Sequence, residues 1–169
     1  NQMSQDNKTT LLGVILCYTY APFHIRMLRG IEESITKQGY QMMLGYSDSD
    51  AGLEEKIIDR MLQAGAKGLI IYPADGKYYS EKILRLNIDD FPVVLIDRYL
   101  PGINTCCVYS NSYQGGYDVG RYLIDKSHKN IGLLSMIPDQ TVPVLDRIEG
   151  FSDALSSSDI AINSAYWLT

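Results

Sequence analysis

The sequence predicts an α/β protein built around a doubly wound parallel sheet, with a second, incomplete α/β lobe after the first. Three observations predict it. Short, almost continuous apolar runs such as Leu11–Cys17 and Pro92–Ile96 have the character of strands covered on both faces. These runs alternate with stretches whose apolar residues recur at helical spacing. Glycine, proline and acidic clusters punctuate the alternation where turns are needed.

Taken in order, Leu11–Cys17 is the first strand and Pro22 opens a helix in which Ile25, Leu28, Ile31 and Ile35 share a face, with Gly39 as its stop. Gln41–Tyr46 is the second strand. The turn Ser47-Asp48-Ser49-Asp50 then caps a helix that runs from about Leu53 through Ile57, Ile58, Met61 and Leu62 to Gly65. Gly68–Tyr72 is the third strand, Glu81–Asn87 a short helix and Phe91–Ile96 the fourth strand. Leu100-Pro101-Gly102 is a turn before a short strand, Thr105–Tyr109. Asn111–Asp125 reads as a helix whose Gly115, Gly116 and Gly120 lack a dinucleotide pattern and permit close packing. Ile131–Ile137 is a further strand, Arg147–Leu155 a further helix, and Ile160–Thr169 begins an element that the sequence does not finish. The expected organisation is a tail or linker over 1–9, a lobe over 10–109 and the start of another over 110–169, which holds too few strands to complete a sheet.

Composition narrows the function. The chain has 169 residues, 46% hydrophobic and 21% charged, ordinary for a globular protein. A net charge of -5 argues against a surface that grips nucleic acid directly, since phosphate binding draws on basic side chains. The polar start Asn1–Thr10 has no secretory pattern, and no stretch is long and apolar enough to span a membrane. The three cysteines, Cys17, Cys106 and Cys107, have neither metal-ligand nor redox spacing, and buried small hydrophobes in a reducing cytoplasm are the expectation. With only His24 and His128, a histidine-rich metal centre is excluded. The Asp48/Asp50 turn lacks the glycine and glutamate register of a calcium loop. No metal or cofactor is expected.

Parallel strands deliver their carboxyl ends to one edge, where open α/β sheets bind ligands. The residues expected there are Tyr18–Tyr20, Tyr46–Asp48, Tyr72 and the pair Asp97-Arg98. Rings that stack on a sugar or nucleobase face, beside a carboxylate acceptor and guanidinium donors, suit a polyhydroxylated small molecule. Plainer alternatives stand beside this one: a surface ion pair at Asp97-Arg98, a core Phe23, a solvated His24 and a surface Arg147. The sequence shows no nucleophile–histidine–carboxylate set, phosphate loop or paired carboxylates, so an enzyme is not expected.

Several segments, in order, resemble one family. Ala21-Pro22-Phe23-His24 with Leu28-Arg29-Gly30-Ile31-Glu32 resembles the "NPFF…LRGIE" opening of the effector domains of the lactose-repressor/galactose-repressor (LacI/GalR) family and their periplasmic sugar-binding relatives. Gly39-Tyr40-Gln41, Ser47-Asp48-Ser49-Asp50, Gly68–Ile71, Pro92–Arg98 and Arg147-Ile148-Glu149-Gly150-Phe151 follow in the family's order. The segment Asn111–Ile124 is especially similar to the family's purine-repressor branch. The match covers about Leu11 to Leu155. It implies a periplasmic-binding-protein-like fold of two flavodoxin-like lobes, here truncated, with a ligand held in the cleft between them. Ligand contacts carried over from the family fall on Phe23, His24, Tyr72, Asp97, Arg98 and Arg147, with Tyr20 added from the strand-end set. Asp97 would accept from hydroxyls, Arg98 would donate to others and Arg147 would reach the ligand from the second lobe.

Three positions depart from the family: Ala21 replaces the usual asparagine, His24 the second phenylalanine, and Tyr72 a small amide found in some sugar binders. The resemblance implies a cytoplasmic homodimeric regulator that meets DNA only through a helix-turn-helix head absent from this sequence. A periplasmic sugar-binding protein of a transport system is the alternative.

Overall fold

Leu11–Leu16 (β1) is an interior strand of a parallel sheet because its side chains are apolar on both faces, and Val14, Ile15 and Leu16 are fully buried. The computed structural model describes residues 10–18, 20–74, 80–135, 141–158 and 160, with the backbone of 167–168. The chain continues through α1 (Pro22–Lys37), β2 (Gln41–Tyr46), α2 (Ala51–Gln63), β3 (Gly68–Ile71), α3 (Glu81–Ile88), β4 (Val93–Ile96) and β5 (Cys106–Val108). The strands pair in parallel in the order β2-β1-β3-β4-β5. The chain direction across the sheet reverses at β1/β3, which sets a crevice at the carboxyl ends of those two strands. The predicted fold class is borne out.

Two apolar layers flank the sheet. Ile15, Leu69, Ile71 and Leu95 meet Ile57, Ile58 and Met61 of α2 and Ile83 and Leu86 of α3. The alternate residues Val14, Leu16 and Ile96 meet Ile35, Leu28 and Ile31 of α1 on the opposite face. The period-two alternation along each strand therefore decides which helix covers which residue. Full burial of each such side chain contributes roughly 1.5–3 kcal/mol.

Local signals set the helix ends. The Asp50 carboxylate accepts from the Leu53 N–H at 2.8 Å, so α2 begins at Ala51, two residues before the expected start. Its neighbour Asp48 sits in the left-handed region, with φ 48°, and is part of the turn. Helix α1 has no side-chain cap, because Ala21 stands at its N-cap and offers none; Pro22 starts it by its fixed φ.

The first compact unit ends at Val108 and the second begins at Tyr109. The second holds α4 (Ser112–Asp125), β6 (Leu133–Leu134), α5 (Val142–Ser156) and β7 (Trp167–Leu168), with β6 and β7 parallel. Helix α5 starts five residues before the expected Arg147, because Pro143 in its first turn is a helix opener that the apolar spacing alone does not reveal. Of the expected strand Ile131–Ile137, the described strand is β6, and residues 136–137 lie outside the described residues. Most of Ile160–Thr169 lies outside them too. Helices α4 and α5 meet through glycines: a Cβ on Gly116 would strike the Arg147 carbonyl, one on Gly150 the Tyr113 carbonyl, and one on Gly120 would lie 2.6 Å from the Ala154 Cβ. The expected close-packing role of Gly116 and Gly120 follows from this; Gly115 faces open space.

One cysteine expectation is corrected. Cys17 is buried, but Cys106 is exposed and Cys107 half-buried. Strand β5 ends the sheet order, so side chains there have a neighbouring strand on one side only.

Candidate functional site

Five strand-end and helix-start residues of the first unit form one aromatic cluster. Tyr18, which follows β1, is its centre: its ring lies 4.8 Å from Tyr20 in a stack, 4.8 Å from His24 edge-on and 5.9 Å from Tyr72. His24 also meets Phe23 at 5.4 Å and Tyr72 at 5.4 Å. Such edge-to-face and offset pairs are favourable ring geometries. Pro22 and the first turn of α1 place Phe23 and His24, and the end of β3 places Tyr72 directly across from them.

The polar groups interlock with these rings. The Tyr72 hydroxyl donates to Asp97 Oδ2 at 3.0 Å. Asp97 has φ 65°, and the Arg98 N–H donates to the Ile96 carbonyl at 2.7 Å across it, closing a tight three-residue turn. That turn carries the chain off β4 and brings the Arg98 guanidinium back under the rings. Arg98 donates from Nη1 to the Pro73 carbonyl at 2.7 Å and from Nη2 to the Tyr18 hydroxyl at 2.9 Å. It is 8% exposed, so it is no surface ion-pair member.

Exposure sorts the cluster. Tyr20 is 82% exposed and Phe23 46%, so both are available at the rim. His24 is 5% exposed, which corrects the solvated alternative, and its Nδ1 has no hydrogen-bond partner. Burial holds its pKa below the ordinary 6.5; Asp97 opposes this and Arg98 reinforces it. The ring is therefore neutral at physiological pH. Burial likewise pushes the Tyr72 hydroxyl well above its usual range, with Arg98 opposing, so it stays a donor.

Other expected residues are placed differently. Tyr46 and Asp48 are exposed, while Ser47 between them is buried with an unpartnered Oγ. Arg147 belongs to the second unit, where it is exposed on α5 and donates to Ser112 Oγ at 3.4 Å. Sequence reasoning missed Glu54, which is 1% exposed and accepts from the Ala74 N–H at 2.7 Å. Burial raises its pKa to about 7, the Ala74 bond and Arg98 opposing. The signal was available: Glu54 shares the helical stripe of Ile57, Ile58 and Met61. Among the described residues no group of three or more histidine, cysteine, aspartate or glutamate side chains could hold a metal ion. No described helix is long and apolar enough to cross a membrane.

Residues 9–164 match the family model described as periplasmic binding proteins and sugar binding domain of LacI family. The chain belongs to this family. Among curated members, the transcriptional repressor PurR of Histophilus somni is 29% identical over 159 residues, covering 93% of this chain and 46% of that protein. The ribose operon repressor of Haemophilus influenzae is 25% identical over 161 residues, covering 95% and 47%. The chain thus spans about half the length of the curated relatives it matches. Among solved structures, the transcription regulator GntR of Chromobacterium violaceum superposes with a TM-score of 0.76 at 28% identity, covering 94% of this chain and 56% of that one. CcpA of Lactococcus lactis, at 24% identity, a TM-score of 0.79 and coverage of 95% and 58%, shares the fold. These LacI-family relatives are named as regulators, not as enzymes or transporters.

Proposed function

We propose that this chain is the effector-sensing part of a bacterial LacI-type transcriptional repressor. The observation that carries the reading is the aromatic cluster joined to Asp97 at the β1/β3 crevice. A ring molecule lies with its face on Tyr20 and Phe23, within reach of His24 and Tyr72, and its hydroxyls donate to Asp97. Each hydrogen bond to the carboxylate contributes roughly 1.5–3 kcal/mol. A small sugar or related metabolite fits this chemistry. Arg98 and Arg147 are added through the family resemblance alone.

The effector acts by binding one arrangement of the lobes better than another, and so changes how a separate helix-turn-helix domain grips DNA. Shifting such an equilibrium from 1:99 to 99:1 takes about 5.5 kcal/mol of differential affinity, which a few such bonds supply. The setting is a cytoplasmic homodimer, with no membrane contact, no cofactor and no catalysis. The names of the relatives favour regulation over transport. Domain limits at 1–9, 10–109 and 110–169 belong to the same reading.

Titration calorimetry of the full protein against a panel of pentoses, hexoses and nucleobases tests it. Saturable heat that Asp97→Asn abolishes supports it. Silence across the panel, or binding indifferent to Asp97→Asn, Phe23→Ala and His24→Ala alike, removes it.

A further inference from the structure

Among the described residues two buried side-chain polar atoms have no hydrogen-bond partner, His24 Nδ1 and Ser47 Oγ. Both belong to the carboxyl edge of the sheet: Ser47 follows β2, and His24 packs on Tyr18 and Tyr72, just past β1 and β3. Buried polar atoms in folded proteins are nearly always paired, so an unpaired one marks a place that a further group completes. Of the two, His24 lies inside the aromatic cluster. Its ring meets Tyr18 edge-on at 4.8 Å, and Tyr72 and Phe23 at 5.4 Å each, yet none of them bonds Nδ1. The cover over this edge is light. Tyr20 is 82% exposed, and its ring contacts are a stack on Tyr18 at 4.8 Å and an edge on His24 at 6.4 Å. Little buried area holds that ring, so turning it aside costs little. Turned aside, it opens the His24 edge and can close again over the face of a guest ring.

We infer that His24 is a specificity-determining residue: its Nδ1 forms a hydrogen bond with one hydroxyl on the edge of a polyhydroxylated ring. The phenylalanine that the family resemblance places at this position offers a ligand its ring and no hydrogen bond. His24 keeps an aromatic face and adds a polar edge. Burial keeps the imidazole neutral, so one nitrogen accepts and the other donates, and a hydroxyl can meet either. A ligand without that hydroxyl leaves Nδ1 unpaired in a closed site, and the site rejects it for that reason. The inference rests on the ligand site proposed above and names the side chain that reads one of the ligand's hydroxyls.

The test measures affinity by calorimetry in the full protein for D-ribose and D-glucose, each beside the analogues that lack one of its hydroxyls. His24→Phe keeps a ring and removes both nitrogens. It weakens the parent sugar about tenfold, the scale of one hydrogen bond. It leaves one deoxy analogue unchanged, because that analogue already lacks the bond, and such a cycle isolates the pair. His24→Asn puts an amide where Nδ1 stood and retains the preference for that hydroxyl. His24→Gln carries its amide out to the place of Nε2 and loses the preference. This contrast decides the matter even if His24→Phe folds poorly. Two results overturn the inference and leave the binding site standing: a uniform loss across parent and analogues in His24→Phe, or equal preference in the Asn and Gln variants. Silence of the unaltered protein toward both sugars overturns the sugar class, and the role of His24 with it.

Discussion

The Tyr72 hydroxyl donates to Asp97 Oδ2 at 3.0 Å, linking the residue just after β3 to a left-handed residue just after β4. Asp97 holds φ 65°, a conformation that a residue with a Cβ adopts at a cost of about 1 kcal/mol or more. The carboxylate is thus kept at a position where glycine would be more comfortable. Asp97→Gly is expected to relieve this strain and to melt higher than Asp97→Ala by the equivalent of about 1 kcal/mol. Both variants lose effector binding. Thermal denaturation beside calorimetry checks it; equal melting of the two variants would remove strain from the account.

Acid and neutral stability have separate sources. His24 has a pKa below its ordinary 6.5 in the fold, so the unfolded chain takes up the proton first. Its contribution is present above pH 6.5 and is lost as pH falls toward the folded value. Glu54 runs the other way: its folded pKa of about 7 exceeds the ordinary 4.5. Its contribution is complete below 4.5 and is lost as pH rises through about 7. In urea titrations across this range, His24→Phe removes the acid-side loss and Glu54→Gln the neutral-side one. With two histidines in the chain, nuclear magnetic resonance follows His24 directly. An apparent pKa at or above 6.5 would contradict the burial argument.

The glycines of the second unit are not equivalent. Gly116→Ala and Gly150→Ala force a methyl against a carbonyl of the facing helix, and each is expected to destabilise that unit by about 1–3 kcal/mol. Gly115→Ala meets open space and is neutral or stabilising by up to about 1 kcal/mol, since alanine favours a helix. Hydrogen exchange of α4 and α5 separates the two classes, and a stable Gly116→Ala would mean the helices can part without loss.

Thiol labelling gives a third gradation. Cys106 is exposed and reacts readily, while buried Cys17 reacts only on unfolding. Cys107 lies between them and is slowed further because burial pushes its pKa up to about 11, the neighbouring Cys106 adding to the effect. A disulfide-exchange reagent at neutral pH should therefore count one fast thiol in the folded protein. Two equally fast thiols would place Cys107 outside its half-buried position.

Much of the first unit was legible because its signals are local and concordant: apolar runs for the strands, Pro22 and Asp50 for helix starts, and Gly39 and Gly65 for stops. Strand order was not written in those runs, but the rule that carboxyl ends share an edge collected Tyr18, Tyr20, Tyr72 and Asp97 without it. What stayed hidden was which side chains consume one another. Nothing in an aspartate–arginine dipeptide says that the arginine turns inward to Pro73 while the aspartate meets Tyr72; that follows from the backbone turn at Asp97. Helix α5 starts earlier than its apolar spacing implies, because Pro143 opens it and that spacing does not include it. Cys106 was misread because its position at the end of the sheet order is a property of the whole sheet.

The carbonyl of Arg147 occupies the space a methyl on Gly116 would need. The root of that arginine is therefore located by main-chain contact with a neighbouring helix, and only its long stem is free to adjust. Any residue larger than hydrogen at 116 would displace the anchor of the guanidinium although it lies on another helix. On the proposed effector role of Arg147, a screen for altered effector response should then recover changes at 116 as well as at 147, and the former would be silent in any catalogue of polar contacts.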